Sequence, residues 1–342
     1  MKRIPPKKAL LVLAVLVFVA AWGGLMAGAS VLGFADIPVL LGWSEPAPGA
    51  WNPTIVFWEL RLPRVLTGLL VGAALSLSGA MMQGLFRNPL ADPGLIGVSS
   101  GAALGAVAAI VLSGPLGGVA QARLLPGAAL VGAWVATWII LRAGSRHGSA
   151  SVATLLLAGI AINAFAGAFI GLCMFLATDT QLRSLNFWML GSLGGASWES
   201  VALLAPFCAL LFLGAPRMAR GLNAFSLGEA EAGHLGCNPE AVKRWVIALT
   251  ALGVGGCVAQ TGMIGFVGLV VPHLFRITVG PDHRWLLPGS ALLGAALLVM
   301  ADTLSRTVAA PAEIPIGIVT AAVGAPFFLA LLWRQKRKFD WL

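Results

Sequence analysis

The chain is a succession of apolar stretches, each near the length a helix needs to cross a lipid bilayer. The hydrocarbon core is about 30 Å thick and a helix rises about 1.5 Å per residue, so one span takes roughly 20 apolar residues. Such stretches lie at 9–32, 61–84, 94–113, 124–142, 152–176, 197–214, 242–261, 264–280, 286–304 and 315–333. In lipid every backbone polar group must be satisfied within the protein, which leaves helices as the spanning element for runs of this kind. The expected fold class is therefore all-α, a polytopic membrane protein with about ten transmembrane helices. Pro272, His273 and Arg276 interrupt the eighth stretch, so a short or broken helix is expected there. A further short helix fits 183–193, too short to span and suited to the mouth of a pathway.

Composition explains why these stretches are not the core of a soluble protein. Apolar residues form 58% of the chain and charged residues 10%, with a mean hydropathy of +0.91. Soluble domains average roughly 45–50% apolar and about 25% charged. So few charges cannot cover a soluble body of 342 residues, and lipid must bound it. No low-complexity linker and no internal repeat divides the chain, which reads as a single transmembrane domain over 1–342. The start is basic over 1–8 and apolar over 9–32. A signal peptide looks similar, but this run is too long for an h-region and more spans follow, so a retained first helix is expected. Cys173, Cys208, Cys237 and Cys257 are scattered, with no CxxC pair and no His at metal-ligand spacing. They read as small packing residues, with no disulfide and no metal expected.

Basic residues orient the array. With ten spans both termini share one side. That side collects Lys2, Arg3, Lys7, Lys8, Arg87, Arg142, Arg146, Arg217, Arg220, Lys243, Arg244, Arg276, Arg284, Arg334, Lys336, Arg337 and Lys338. Arg61, Arg64, Arg123, Arg183 and Arg306 fall on the other. The positive-inside rule makes the richer side, and both termini, cytoplasmic. An odd number of spans would scatter the basic loops over both sides. The net charge of +9 is then a cytoplasmic girdle, and no nucleic-acid partner is needed. Trp51, Trp58, Trp188, Trp198, Trp285, Trp333 and Trp341 sit near span ends and read as anchors to membrane lipid.

No GxxxxGK[ST] phosphate loop occurs, and no extended soluble region is large enough for an ATPase, so ATP-driven work needs a motor on another chain. In RLPRVLTGLLVGAALSLSGAMMQGLFRNPLADPGLIGVSSG (61–101), a Pro-initiated helix carries Arg61 and Arg64 one turn apart at its outer end. Gly68 and Gly72 form a GxxxG pair. A polar turn at 87–94 holds Asn88, Pro89, Asp92 and Pro93, and Gly97, Gly101 and Gly105 share a face of the next helix. The glycines read first as helix-packing residues. The loop 215–240 contains LNAFSLGEAEAGHLG, mildly amphipathic and too polar to span. Leu222, Phe225, Leu227, Ala230, His234 and Leu235 are able to line one face, and two short helices parallel to the membrane would fit. Composition alone leaves this segment divided between a docking element and a plain surface loop.

These segments resemble the permease family of iron-siderophore, haem and cobalamin ABC importers, the type II importers. LLLAGIAINA (155–164), QLRSLNFWMLGSLGGASW (181–198), TGMIGFVGLVVPHLFR (261–276), GPDHRWLLPGSALLGAALLVMADTLSR (280–306) and EIPIGIVTAAVGAPFF (313–328) follow in the family's order. Together the matches cover most of 61–333. The resemblance implies ten spans per chain in a bacterial inner membrane, a homodimer, two ATP-binding subunits and a periplasmic substrate-binding protein. It implies no cofactor on this chain, with ATP and Mg on the partner ATPase. By the same likeness, Leu227, Gly228, Glu229, Ala230, Gly233, Leu235 and Gly236 dock into the ATPase. Arg61, Arg64 and Arg306 resemble arginines that meet glutamates of the binding protein, where rim pairs steer docking; snorkelling at the interface is the plainer alternative. Asn88 and Leu90 resemble residues of the cytoplasmic gate, against a simple capped and buried turn. Asp302 is read as the partner of a nearby Arg, and His273 as satisfying the backbone of a broken helix.

The family implies a large chelate or corrinoid as cargo. The quoted segments look most like haem permeases, with ferric siderophore or cobalamin as alternatives. Within 160–176 only Asn163 and Cys173 are modestly polar, a wall that a flat porphyrin would pass. Arg183 stands where it meets a haem propionate or anchors the short helix. A proton-driven carrier would need a relay of buried ionisable residues, and Asp302 alone is thin support for one. An enzyme is not expected: there is no HExxH, GxSxG or paired carboxylate on one helix, and His147, His234, His273 and His283 are dispersed.

Overall fold

Satisfying the backbone without water makes helix the rule. The computed structural model describes residues 3–28, 32–33, 36–40, 42–44, 52–112, 118–146 and 149–339, with backbone alone at 118–123, 145–146, 149–150 and 331–339. In chain order the helices are α1 Pro6–Met26, α2 Ile37–Leu40, α3 Pro53–Ile55, α4 Leu62–Leu85, α5 Val98–Leu112, α6 Gly118–Gly144, α7 Val152–Leu176, α8 Asp179–Met189, α9 Trp198–Phe225, α10 Glu229–His234, α11 Pro239–Thr261, α12 Val267–Thr278, α13 His283–Thr307 and α14 Ile316–Phe339. A π-helical turn, Val56–Arg61, feeds α4, and a 3-10 turn, Pro93–Ile96, precedes α5. Among the described residues the one departure is a two-residue antiparallel pairing, Ser145–Arg146 with Ser149–Ala150. Lys2, Trp51 and Trp341 lie outside the described residues, as do the side chains of Arg123, Arg146, Trp333, Arg334, Lys336, Arg337 and Lys338.

Among the described residues, seven helical segments are long and apolar enough to cross a membrane: Pro6–Met26, Pro53–Leu85, Leu124–Gly144, Val152–Leu176, Trp198–Phe225, Pro239–Thr261 and His283–Thr307. Val98–Leu112, Val267–Thr278 and Ile316–Ala330 are apolar but shorter, and they stand where the third, eighth and tenth spans are expected. Two of them are short for local reasons. Pro93 and the left-handed Gly97 (φ 72°) break the chain before α5, and Phe266 (φ 67°) does so before α12. Among the described residues length and composition therefore carry seven spans, and three shorter apolar helices occupy the remaining expected positions.

Other boundaries also moved. α9 continues to Phe225 although Pro206 and Pro216 lie inside it, because Leu222 and Phe225 are fully packed. The expected loop 215–240 thus shrinks to 226–238 with one short helix in it. α8 begins four residues before the expected 183, because Thr178 and Gln181 form a reciprocal capping box.

α4 is the central element, buried along most of its length and packed on α9, α11, α12 and α13. The small residues set how close those helices come. A Cβ on Gly72 would lie 2.3 Å from the Gly294 carbonyl oxygen, and one on Gly101 would lie 2.4 Å from that of Gly132. The glycine faces are therefore used inside the chain, α4 against α13 and α5 against α6.

Candidate functional site

Three groups of polar residues interrupt this apolar bundle. The first lies at the outer end of α4 and α13. The last carbonyls of a helix have no intrahelical donor, and those of α1 are met by arginine. Arg61 Nη1 donates to the carbonyls of Leu25 and Met26, each at 2.8 Å, and Arg306 Nη2 donates to that of Gly24. Both arginines are buried, 5% and 6% exposed. This corrects the expectation of an exposed rim: Arg61 and Arg306 turn inward, because α1 ends there with acceptors to satisfy. Arg64 binds Asp302 through Nε at 3.0 Å and Nη2 at 2.9 Å, and Glu313 through Nη1 at 2.8 Å and Nη2 at 3.0 Å. Asp302 also lies 3.4 Å from Arg306 Nε. The expected Arg partner of Asp302 is thus present twice. Glu313, nearly half exposed, went unnoticed in the sequence, where it stands 249 positions from Arg64. The hydrogen bond from Arg64 holds its carboxyl below the usual range.

The second group lies around α10. Gly228 has φ 135°, a conformation that L side chains rarely adopt, and it starts the helix. At the other end Gly236 is left-handed (φ 81°). The Cys237 N–H donates to Ala232 O at 3.1 Å and the Gly236 N–H to Gly233 O at 3.0 Å, the paired bonds of a Schellman stop. The expected single apolar face is split. Leu222 and Phe225 belong to the buried end of α9, whereas Leu227 and Leu235 are 66% and 62% exposed on either flank of α10, with Ala230 between them. Glu229 pairs with Lys243, whose side chain is 1% exposed and also binds Glu240 at 2.7 Å. Lys243, expected in the cytoplasmic girdle, has its ammonium covered. Asn88 and Leu90, expected at the gate or in a buried turn, are both exposed; Asn88 Oδ1 accepts the Leu90 N–H at 2.9 Å, a turn bond typical of Asn. Where α9 meets α13, Asn223 Nδ2 donates to Asp282 Oδ1 at 2.7 Å and Arg284 Nη2 to Asp282 Oδ2 at 2.7 Å. The Arg284 bonds, ahead of the Asn223 bond, hold the Asp282 carboxyl well below its ordinary value.

The third group lies inside the bundle. His273 does not satisfy the broken helix: neither ring nitrogen has a hydrogen-bond partner, and Phe327 meets the ring edge-on at 6.2 Å. Gln83 performs that task. Pro272 has no N–H for the carbonyl of Gly268, and Gln83 Nε2 donates to Gly268 O at 3.4 Å and Leu269 O at 3.2 Å while its Oε1 accepts from Arg276 at 2.9 Å. Asn163, expected on the substrate path, is a tie between helices: Ser100 donates to its Oδ1, and its Nδ2 donates to Gly94 O at 3.2 Å. Arg183 is exposed on α8. Anchoring of that helix falls to Gln181, which donates to the carbonyls of Ile110 and Val111, each at 3.2 Å. Among the described residues no cluster of His, Cys, Asp or Glu is arranged to hold a metal.

Known proteins resemble this chain in sequence and fold. The FecCD transport family matches residues 11–334. The hemin transport system permease protein HmuU of Yersinia pestis is 44% identical over 341 residues, 98% of either chain. The vitamin B12 import system permease protein BtuC of Salmonella paratyphi A is 44% identical over 296 residues, 85% of this chain and 88% of that protein. A solved ABC transporter of metal-chelate type, in an inward-facing conformation, superposes with a TM-score of 0.81 at 33% identity, covering 96% of this chain and 99% of that one. PsaBC from Streptococcus pneumoniae, solved with a Fab, is alike in fold alone, at a TM-score of 0.51 and 17% identity over 78% of this chain and 89% of that one. The chain belongs to the FecCD transport family, as a permease subunit of an ABC transporter.

Proposed function

We propose that this permease carries haem across the bacterial inner membrane by alternating access, as a homodimer bound to two ATPase subunits that hold ATP and Mg. The observation that carries the choice of haem is the end-to-end match to a hemin permease, 98% of both chains. Its α7 wall agrees in chemistry: Ile160, Phe165, Phe169 and Leu172 are exposed and apolar, a surface along which a porphyrin slides without a strong polar trap. Cobalamin is the second reading, because vitamin B12 permeases reach the same 44% identity over 85% of the chain.

In this reading α5, α12 and α14 complete ten spans, with both termini cytoplasmic by the distribution of basic residues. Leu227 and Leu235, flanking Gly228, Glu229, Ala230, Gly233 and Gly236, form the face that docks on the ATPase. Asn88 and Leu90 belong to the cytoplasmic gate, and Arg183 meets a propionate at the outer mouth. A periplasmic binding protein docks at the Arg61, Arg64 and Arg306 end. There its carboxylates compete with Glu313 for Arg64 and with the α1 carbonyls for the other two. The test is to purify the permease with its ATPase and binding protein and measure Mg-ATP hydrolysis with haem, cobalamin or a ferric siderophore. Haem is expected to raise hydrolysis most; stimulation by cobalamin alone would replace the first reading by the second.

A further inference from the structure

Lys243 is in an unusual place for a lysine. The side chain ordinarily lays its stem on apolar surface and keeps the ammonium in water. Here the whole side chain is 1% exposed, and Nζ lies between Glu229 and Glu240. A buried cation is tolerated when it is paired and hydrogen-bonded, and removing one partner is strongly destabilising. Glu240 sits one turn back on the same helix, whereas Glu229 comes from α10. α10 has six residues, and Ala232 is its one buried member, so little apolar packing fastens it to the bundle. The ion triad is therefore a principal tie between α10 and α11.

α11 leads from that tie to the opposite end of the bundle. Its 23 residues include no proline beyond Pro239 at the start, unlike α9, α12, α13 and α14, which each carry an internal proline. At about 1.5 Å per residue it is a rod roughly 35 Å long. At its far end the Thr261 carbonyl accepts the Ser192 N–H at 2.8 Å. The same turn holds the start of α14, with the Ile316 N–H donating to Gly191 O at 3.2 Å and the Gly317 N–H to Leu190 O at 3.0 Å.

We propose that Lys243 is the positioning residue that joins α10 to α11, so that motion of a bound ATPase is delivered through α11 to the 190–192 turn and the start of α14. The proposal rests on the ABC permease reading of α10. It does not depend on which chelate is carried.

The experiment uses the full permease with its ATPase and binding protein in proteoliposomes. Lys243→Met keeps the stem and removes the charge. The expected result is a complex that assembles and hydrolyses Mg-ATP, with haem transported per ATP reduced at least about fivefold, the low end of a typical coupling energy. In a Ser192→Cys background, maleimide labelling should change with ATP when Lys243 is present and stop changing in Lys243→Met. If Lys243→Met does not fold, the double variant Lys243→Met, Glu240→Gln removes the more covered of the two carboxylates left beside the lost charge, keeps Glu229 intact, and is read in the same way. ATP-dependent labelling and transport per ATP equal to the parent in a folded, assembled variant would overturn the proposal. A parent complex whose labelling responds to ATP but which does not move haem would instead overturn the substrate, leaving the role of Lys243 standing.

Discussion

Asp302 is the residue on which the outer end of the bundle turns. Its carboxylate serves Arg64 and Arg306 together and is itself buried. Asp302→Ala leaves buried Arg306 without its counter-charge and Arg64 with Glu313 alone, which should lower stability by about 3–5 kcal/mol. Thermal unfolding in detergent reads this directly, and a variant that melts with the parent would show that the α1 carbonyl holds Arg306, and Glu313 holds Arg64, without Asp302. Glu313 should behave differently. It is nearly half exposed, so Glu313→Gln is expected to change stability by less than about 1 kcal/mol at neutral pH. Its folded carboxyl titrates below the ordinary value. Its contribution is thus present above about pH 4.3, the ordinary Glu value, and is lost as pH falls through the lower folded value. Parent and Glu313→Gln should keep a constant difference from pH 6 to 8 and converge only in acid.

At the scale of an element, α12 shows how a broken helix is kept in a membrane protein. Pro272 deprives the Gly268 carbonyl of its helical donor, and a glutamine from α4 supplies one. The same side chain accepts from Arg276, so Gln83 fastens α12 to the central helix at both of its amide atoms. Gln83→Leu conserves bulk and removes all three bonds, leaving the Gly268 carbonyl and the Arg276 guanidinium short of partners. The expected loss is about 1–3 kcal/mol for the orphaned groups, measured as a shift in unfolding midpoint. A second expectation is faster hydrogen exchange confined to α12. Exchange that rises evenly across the protein, or not at all, would assign the tie to packing rather than to Gln83.

For the whole molecule, the placement of the outer arginines changes how docking is to be tested. Reversing all three charges would put carboxylates against Asp302 and the α1 carbonyls and disturb the fold. Arg64→Gln is the cleaner probe, since Arg64 reaches the exposed Glu313. Association with the binding protein, followed by surface plasmon resonance, should slow in Arg64→Gln at low salt. The difference should shrink at high salt, because charges further apart than about 8 Å are screened already at physiological ionic strength. Equal association rates at both salt concentrations would remove Arg64 from the docking face.

The spacing of apolar runs and the scarcity of charge were sufficient to predict a helical membrane protein, because period and composition are local properties of the chain. The ordered segments from 61 to 328 were sufficient for the family resemblance, which the match to residues 11–334 bears out. What those same properties do not contain is which polar side chain answers which. Arg64 and Glu313 are 249 positions apart, and Gln83 and Arg276 are 193 apart. Each pair exists only because α4 runs through the middle of the bundle. That a serine bonds Asn163 and that two glutamates cover Lys243 is likewise visible only once the helices are packed. The sequence by itself determined where helices form and that lipid surrounds them, through hydrophobic length and charge. Only the tertiary structure decided the direction in which the few polar groups face, because a buried charge is tolerated solely where another part of the chain arrives to pair with it.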